Sequence, residues 1–204
     1  MVASSVVVAK LLSMLKALYD DTKCTVRIDG RDSTAFNVNT GVRQGAIASP
    51  VLFNFAIDWV MKQAVSTCTS SGNDVGITLG GLKITDLDYA DDIALLADCE
   101  TDMQFFLDQV IYCGKMVGLQ IDPDKSKIMN ILSPAPRIIA QGIEIESVSS
   151  FRYLGSLITV DISCEADVLA RIGFARAAFE KLHNALFSRE DISIQTKMRV
   201  RTIC

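Results

Sequence analysis

The chain holds 204 residues, with 20 lysines and arginines against 24 aspartates and glutamates, a formal charge of −4 with its single histidine neutral. Half of the residues are hydrophobic and 22% are charged, which supports a sizeable core and excludes a chain disordered throughout. The length suits one domain or one and a fraction, and Lys10 and Lys16 interrupt the most apolar N-terminal stretch, so neither a membrane span nor a signal peptide is expected.

The predicted elements follow in chain order. Val8, Leu11, Leu12, Leu15 and Leu18 recur at helical spacing, predicting an amphipathic helix over residues 6–19. Residues 24–29 and 33–39 flank Gly30 as a hairpin, and residues 41–48 form a glycine-containing loop. Ser49-Pro50 reads as a cap followed by proline at the first helical position, opening a helix to about residue 65. That helix is apolar nearly all round, so it is expected to be buried against a sheet, Trp59 included. Short strands over 75–79 and 82–86 surround Gly80-Gly81, and residues 87–90 and 93–97 bracket Asp91-Asp92 as a second tight hairpin. A helix over 101–117, with Phe106 on its buried face, is stopped by Gly118. Hairpin-like segments over 119–132 and 142–159 lead into a helical pattern from about residue 161, broken near 188–193.

Six well-separated cysteines, with no Cys-x-x-Cys pair and His183 alone, offer no zinc pattern. Free thiols in an intracellular, reducing compartment are the expectation, with nucleus and cytoplasm both open. The charge is uneven. Residues 71–110 carry nine acidic side chains against Lys83 alone, and the remainder is mildly basic. A cation site serving a polyanionic substrate has this pattern, and so has an acidic solvated face.

The chemistry concentrates in two segments. Tyr89-Ala90-Asp91-Asp92 lies between apolar strands, where pairing lifts two carboxylates onto a rigid turn. Magnesium takes hard oxygen ligands, with one or two carboxylates and water or phosphate completing the shell. Taken alone, such a turn is more often simply a solvated one. The segment from Gly41 through Val42, Arg43, Gln44 and Gly45 to Pro50 joins two glycines, a cation and an amide to a helix N-terminus, which favours anionic oxygens.

Together these residues resemble the reverse transcriptases. Residues 41–50 are similar to that family's motif B and residues 89–92 to its catalytic motif C. Residues 118–122 with Lys125, Ser126 and Lys127 are similar to motif D, and Phe151-Arg152-Tyr153-Leu154-Gly155 to the primer-grip motif E. Their order, with Phe53-Asn54 and Asp58-Trp59 after motif B, resembles the non-LTR, LINE-type retrotransposon polymerases.

The resemblance implies an α+β fold: a polymerase palm over 1–160, with an antiparallel sheet and helices on one face, then a partial helical thumb over 161–204. It implies that Asp91 binds two Mg2+ ions with Asp92 in support, and that Tyr89 and Ala90 lie under the primer end. Gln44 and Gly45 border the template base and incoming nucleotide, and Arg43 holds the loop or a phosphate. Lys125 is the candidate general acid for departing pyrophosphate, with Lys127 competing for the role. Phe151, Tyr153, Leu154 and Gly155 position the primer, although their alternation also suits plain strand burial. The implied partners are an RNA template, a DNA primer and deoxynucleoside triphosphates, with no membrane.

One departure stands out. Two-ion transfer draws carboxylates from two segments, and the family's motif A aspartate, expected on a strand before the first helix, is absent from residues 1–19. The missing N-terminal polymerase segment is therefore expected in the complete enzyme. Three readings follow: an RNA-directed DNA polymerase module incomplete as it stands, a catalytically inactive relic or nucleic-acid-binding module of the same ancestry, and an unrelated magnesium-dependent phosphohydrolase, which lacks a second acidic cluster. The segment 171–204, with seven lysines and arginines against three acids, suits a thumb tracking phosphates or a solvated basic face.

Overall fold

A computed structural model describes residues 2–38, 41–131 and 136–203. Helix α1 (Val2–Tyr19) is followed by β1 (Lys23–Cys24), β2 (Arg27–Ile28), β3 (Arg31–Asp32) and β4 (Phe36–Asn37). These nest as expected around Gly30, β2 pairing with β3 and β1 with β4, both antiparallel. Helix α2 (Ser49–Ser70) precedes the antiparallel pairs β5 (Ile77–Leu79) with β6 (Leu82–Ile84) and β7 (Asp86–Tyr89) with β8 (Asp92–Leu95).

Helix α3 (Glu100–Met116) ends as the sequence predicts. Gly118, at φ +79°, lets Leu119 N–H reach the Gly114 carbonyl at 2.9 Å while its own N–H bonds Lys115 O at 3.2 Å. The chain continues through β9 (Lys127–Ile128), β10 (Ile139–Ala140), β11 (Ile143–Glu144), β12 (Glu146–Ser147), β13 (Ser150–Tyr153) and β14 (Ser156–Thr159). Helices α4 (Glu165–Leu182) and α5 (Ile194–Ile203) close it, separated by a π turn at His183–Phe187 and a loop that includes the expected break.

The α+β mixture is present, but the described strands form seven two-stranded pairings rather than one sheet. Strands of two to four residues pair mostly with their sequence neighbours. The expected hairpin over 119–132, whose last residue lies outside the described ones, is not formed by residues 119–131: β9 pairs in parallel with β12, and a turn capped by Asp122 precedes β9. A parallel partner must come from a distant segment, which local turn chemistry does not signal.

The molecule divides into two compact units, residues 1–98 with 105–120, and residues 99–104 with 121–204. In the first, α2 buries Ile57, Val60, Met61, Ala64 and Cys68, a stripe at helical spacing, and α3 buries Phe106, Leu107, Val110, Ile111 and Cys113. Phe106 is wholly buried as expected; Trp59 is not, at 39% exposure. The helix buries one stripe, and Val51, Phe55 and Trp59 recur every four residues on another, exposed face. In the second unit, Ile138, Ala140 and Ile145 are buried, and Gln104 exchanges two 2.8 Å hydrogen bonds with the Ile139 backbone. The five described cysteines are free. No helix among the described residues is long and apolar enough to cross a membrane.

Candidate active site

The β7–β8 hairpin aligns Asp86 with Leu95 and Tyr89 with Asp92, so its turn is Ala90-Asp91. The turn therefore lies one residue earlier than the sequence suggests: β7 stops at Tyr89, which leaves Ala90 in the turn, and Asp92 opens β8. Ala90 takes φ +55°, a left-handed conformation that costs a side chain about 1 kcal/mol. Both carboxylates are exposed, and neither has a hydrogen-bond or ion-pair partner among the described residues. The hairpin's base is tied by backbone. Gly76 N–H bonds Leu96 O at 2.9 Å and Leu96 N–H bonds Thr85 O at 2.8 Å.

A groove of about 870 Å³ runs beside this hairpin. Pro50 and Asn54 of α2 line it together with Tyr89 and Ala90, so it brings the start of α2 beside the Ala90-Asp91 turn. Asp58, Asp86 and Asp88 also line it; Asp86 and Asp88 belong to the acidic stretch over 71–110 but to none of the motif segments. The signal was the i, i+2 spacing that puts both on one strand face. Burial, then the neighbouring Asp86 charge and hydrogen bond, and then the Asp58 charge push the Asp88 carboxyl up to about 6. Asp58 itself pairs with Lys62 at 2.8 Å.

The loop before α2 is held from within. Ser49 is not the cap, a position occupied by Ala48 without a side-chain bond. Buried Ser49 instead donates to the Arg43 carbonyl at 2.7 Å and shares a 3.1 Å hydrogen bond with the Tyr19 hydroxyl. The Arg43 guanidinium donates to Thr22 Oγ1 at 2.9 Å and sits 5.9 Å from the Tyr19 ring centroid. Gly45 takes φ +83°, and Gln44 stands exposed beside it. Arg43 therefore fastens the loop to the end of α1, leaving Gln44 and Gly45 outward.

The remaining predicted residues belong to the second unit. Lys125 is exposed, with a 3.6 Å ion pair to Asp122. Lys127 is drawn into β9, where it pairs with Glu146 and donates to Asp124 O at 3.3 Å. The structure thus separates the two lysines, Lys125 being the freer. In the β13–β14 hairpin, Leu154 at φ +48° and Gly155 at φ +83° make the two-residue turn, the pattern that matches strand twist. Phe151 is partly exposed, Tyr153 is half-buried and Leu154 is exposed. Beside them, Asp167 accepts from Leu157 N–H and from Arg171 Nε, each at 2.8 Å. The i, i+4 spacing of Asp167 and Arg171 was visible in the sequence; their hairpin partner was not.

Much of the basic C-terminal segment is already engaged. Arg171, Arg176 and Arg189 pair with Asp167, Glu180 and Asp191, and Lys197 donates to the carbonyls of Phe187 and Arg189. The Arg176 and Arg189 pairs are exposed on both sides, and pairs of that kind are worth little and are easily exchanged.

Carboxylate oxygens are the right donors for a divalent ion, and one hairpin tip supplies two such side chains, Asp91 in the turn and Asp92 at the start of β8. Among the described residues no group of three or more His, Cys, Asp or Glu side chains converges on a metal position. The donor type fits one ion whose shell water and phosphate complete; a second ion needs carboxylates that these residues do not bring to the turn.

A family model described as reverse transcriptase (RNA-dependent DNA polymerase) matches residues 4–158. The chain is 22% identical, over 97% of its length, to the RNA-directed DNA polymerase from mobile element jockey of Drosophila funebris. It is 29% identical, over 52% of its length, to the retrovirus-related Pol polyprotein from type-2 retrotransposable element R2DM of Drosophila melanogaster. Over 42% of its length it is 34% identical to the corresponding polyprotein of type-1 retrotransposable element R2 of Nasonia vitripennis. The chain spans 22%, 10% and 8% of these curated relatives.

Proposed function

The chain belongs to the reverse transcriptase family, and on that premise we propose that it is the palm portion of a non-LTR retrotransposon RNA-directed DNA polymerase, with residues 161–204 contributing to a helical thumb. The observation that carries this reading is the β7–β8 tip: two unpartnered, exposed carboxylates, one in the turn and one at the start of β8, beside a groove that α2 also lines. The proposed substrates are a DNA primer on an RNA template and a deoxynucleoside triphosphate.

Asp91 and Asp92 would hold Mg2+, which when bound supplies positive charge against the triphosphate and eases deprotonation of the primer 3′-hydroxyl. Their lack of internal partners supports the role, because a carboxylate already paired must give up that bond before taking a cation. The 3′-oxygen forms the new bond to the α-phosphorus as the bond to pyrophosphate breaks, and Lys125 is proposed to give the leaving oxygen its proton. Its exposed ammonium supports that assignment over Lys127. Gln44 and Gly45 border the nascent base pair, Tyr89 and Ala90 lie under the primer end, and Phe151, Tyr153, Leu154 and Gly155 hold its backbone.

Labelled-deoxynucleotide incorporation on a primed RNA tests the reading, with the chain alone and joined to an upstream polymerase segment bearing a motif A aspartate. We expect robust incorporation from the joined form and little from the chain alone. Asp91→Ala should lower it by about 10³-fold or more, with stability changed by less than about 0.5 kcal/mol. An active Asp91→Ala protein would overturn the assignment; an inactive joined form would favour the relic.

A further inference from the structure

The helix after the β13–β14 hairpin buries none of its side chains, so apolar packing alone does not explain why it lies against that hairpin. Polar contacts do. Asp167 Oδ1 accepts the Leu157 N–H at 2.8 Å, and Asp167 Oδ2 accepts Arg171 Nε at 2.8 Å and the Ser156 hydroxyl at 3.4 Å. Arg171 Nη2 donates onward to Ser156 Oγ at 2.8 Å, which closes a ring of bonds on the first two residues of β14. A second tie comes from the opposite strand. The Arg152 guanidinium lies 5.2 Å from the Phe174 ring centroid while donating to the Gly155 carbonyl at 3.1 Å. Residues 167, 171 and 174 form one stripe of α4, and their contacts converge on the residues flanking a single two-residue turn.

We propose that Asp167 and Arg171 are positioning residues that clamp α4 to the hairpin and so fix the Leu154-Gly155 turn against the primer, an inference that rests on the primer-holding reading of that turn. The Leu157 N–H points away from β13 toward α4, where it would be an unpaired donor on the hairpin's outer edge. The Asp167 carboxylate satisfies it, and Arg171 balances the charge so that the carboxylate stays ionised. That N–H first, and the Arg171 guanidinium second, hold the Asp167 carboxyl below the usual carboxylate range. A turn carried by a free hairpin would swing about its base; with both flanks tied to α4, turn and helix move together.

The experiment uses the full 204-residue chain and a DNA primer ending in 4-thiothymidine on an RNA template. Two readouts are taken: amide exchange at Leu157, without nucleic acid, and mapped photocrosslinks from the primer end. In the parent chain we expect a protected Leu157 and crosslinks within residues 151–159. Asp167→Ala should speed Leu157 exchange at least about tenfold. It should also lower the hairpin crosslink about fivefold while duplex affinity shifts less than about twofold, because phosphate contacts elsewhere carry that affinity. Asp167→Asn keeps an acceptor for the N–H but loses the Arg171 pair, so it should restore much of the protection and part of the crosslink. Glu180→Gln, which breaks an ion pair on another face of α4, should leave both readouts unchanged. Faster exchange with an unchanged crosslink would overturn the positioning role, and unchanged exchange would overturn the clamp. Parent crosslinks that map outside the hairpin would overturn the primer-holding reading and the positioning role with it, while the exchange data still decide the clamp.

Discussion

Two hairpins of the same size, four residues a side with a two-residue turn, are held in opposite ways. The β7–β8 hairpin is fastened at its base, through Gly76, Leu96 and Thr85 backbone groups, and its tip carries Asp91 and Asp92 without partners. The β13–β14 hairpin is fastened beside its tip, by Asp167 and Arg171 from α4, and its turn offers an exposed leucine and a glycine. The contrast follows from what each tip presents. On the proposed role, carboxylates that take a cation are better left unpaired, so rigidity has to come from the far end of the ribbon. An apolar turn has no such restriction and can be held next to the point of use.

The largest effect should come from breaking the first hairpin's base. A Cβ on Gly76, at φ +94°, would stand 2.6 Å from Ile84 O and 3.0 Å from Thr85 Cγ2. Gly76→Ala is expected to destabilise by about 3 kcal/mol in urea unfolding. A loss below about 1 kcal/mol would show that the base is not what holds this ribbon.

The pH response sharpens the comparison, because the two regions respond with opposite sign. Asp88, at about 6 in the folded protein, lies above its unfolded value of about 4. As pH rises through that window the folded form retains a proton that the unfolded chain has lost, so stability falls. Asp88→Asn should flatten that slope and, since the group is exposed and screened by solvent, gain about 1 kcal/mol at pH 7. Asp167 is shifted the other way, so its contribution is present above the unfolded value and fades as pH falls through the folded one. Asp167→Asn should flatten the acid limb below about pH 4 and leave the window from about 4 to 6 unchanged in a melting-temperature series.

The smallest effect concerns the turns themselves. Ala90 and Leu154 both sit in the left-handed region, so Ala90→Gly and Leu154→Gly should each stabilise by about 0.5 kcal/mol, the relieved strain being partly offset by the freer unfolded chain. Destabilisation by Leu154→Gly alone would mean that the exposed leucine makes a packing contribution that Ala90 does not.

Local chemistry was legible in the sequence wherever one segment decides the outcome. Gly118 ends α3 because a left-handed residue is needed there, and the hairpins at Gly30, Gly80-Gly81 and Asp91 follow from turn residues between strand formers. The family motifs were legible for the same reason, since each is a short contiguous run. Ser49 was misread because a serine before proline has the chemistry of a cap, and only its tertiary neighbours, Tyr19 and the Arg43 carbonyl, divert the hydroxyl. Trp59 was misread because composition cannot say which stripe of an apolar helix meets the core.

By itself the sequence determined the order of the helices, the hairpins that close on local turns, the hairpin tip that carries Asp91 and Asp92, and the family, because these depend on contiguous residue types and backbone preference. Only the tertiary structure decided the parallel pairing of β9 with β12, the removal of Lys127 into an ion pair while Lys125 stayed exposed, the acidic wall of Asp58, Asp86 and Asp88, and the closure of Asp167 on the Leu157 amide. Each joins groups from separate elements. Which donor meets which acceptor across such a gap is set by chain packing, and no local pattern encodes it.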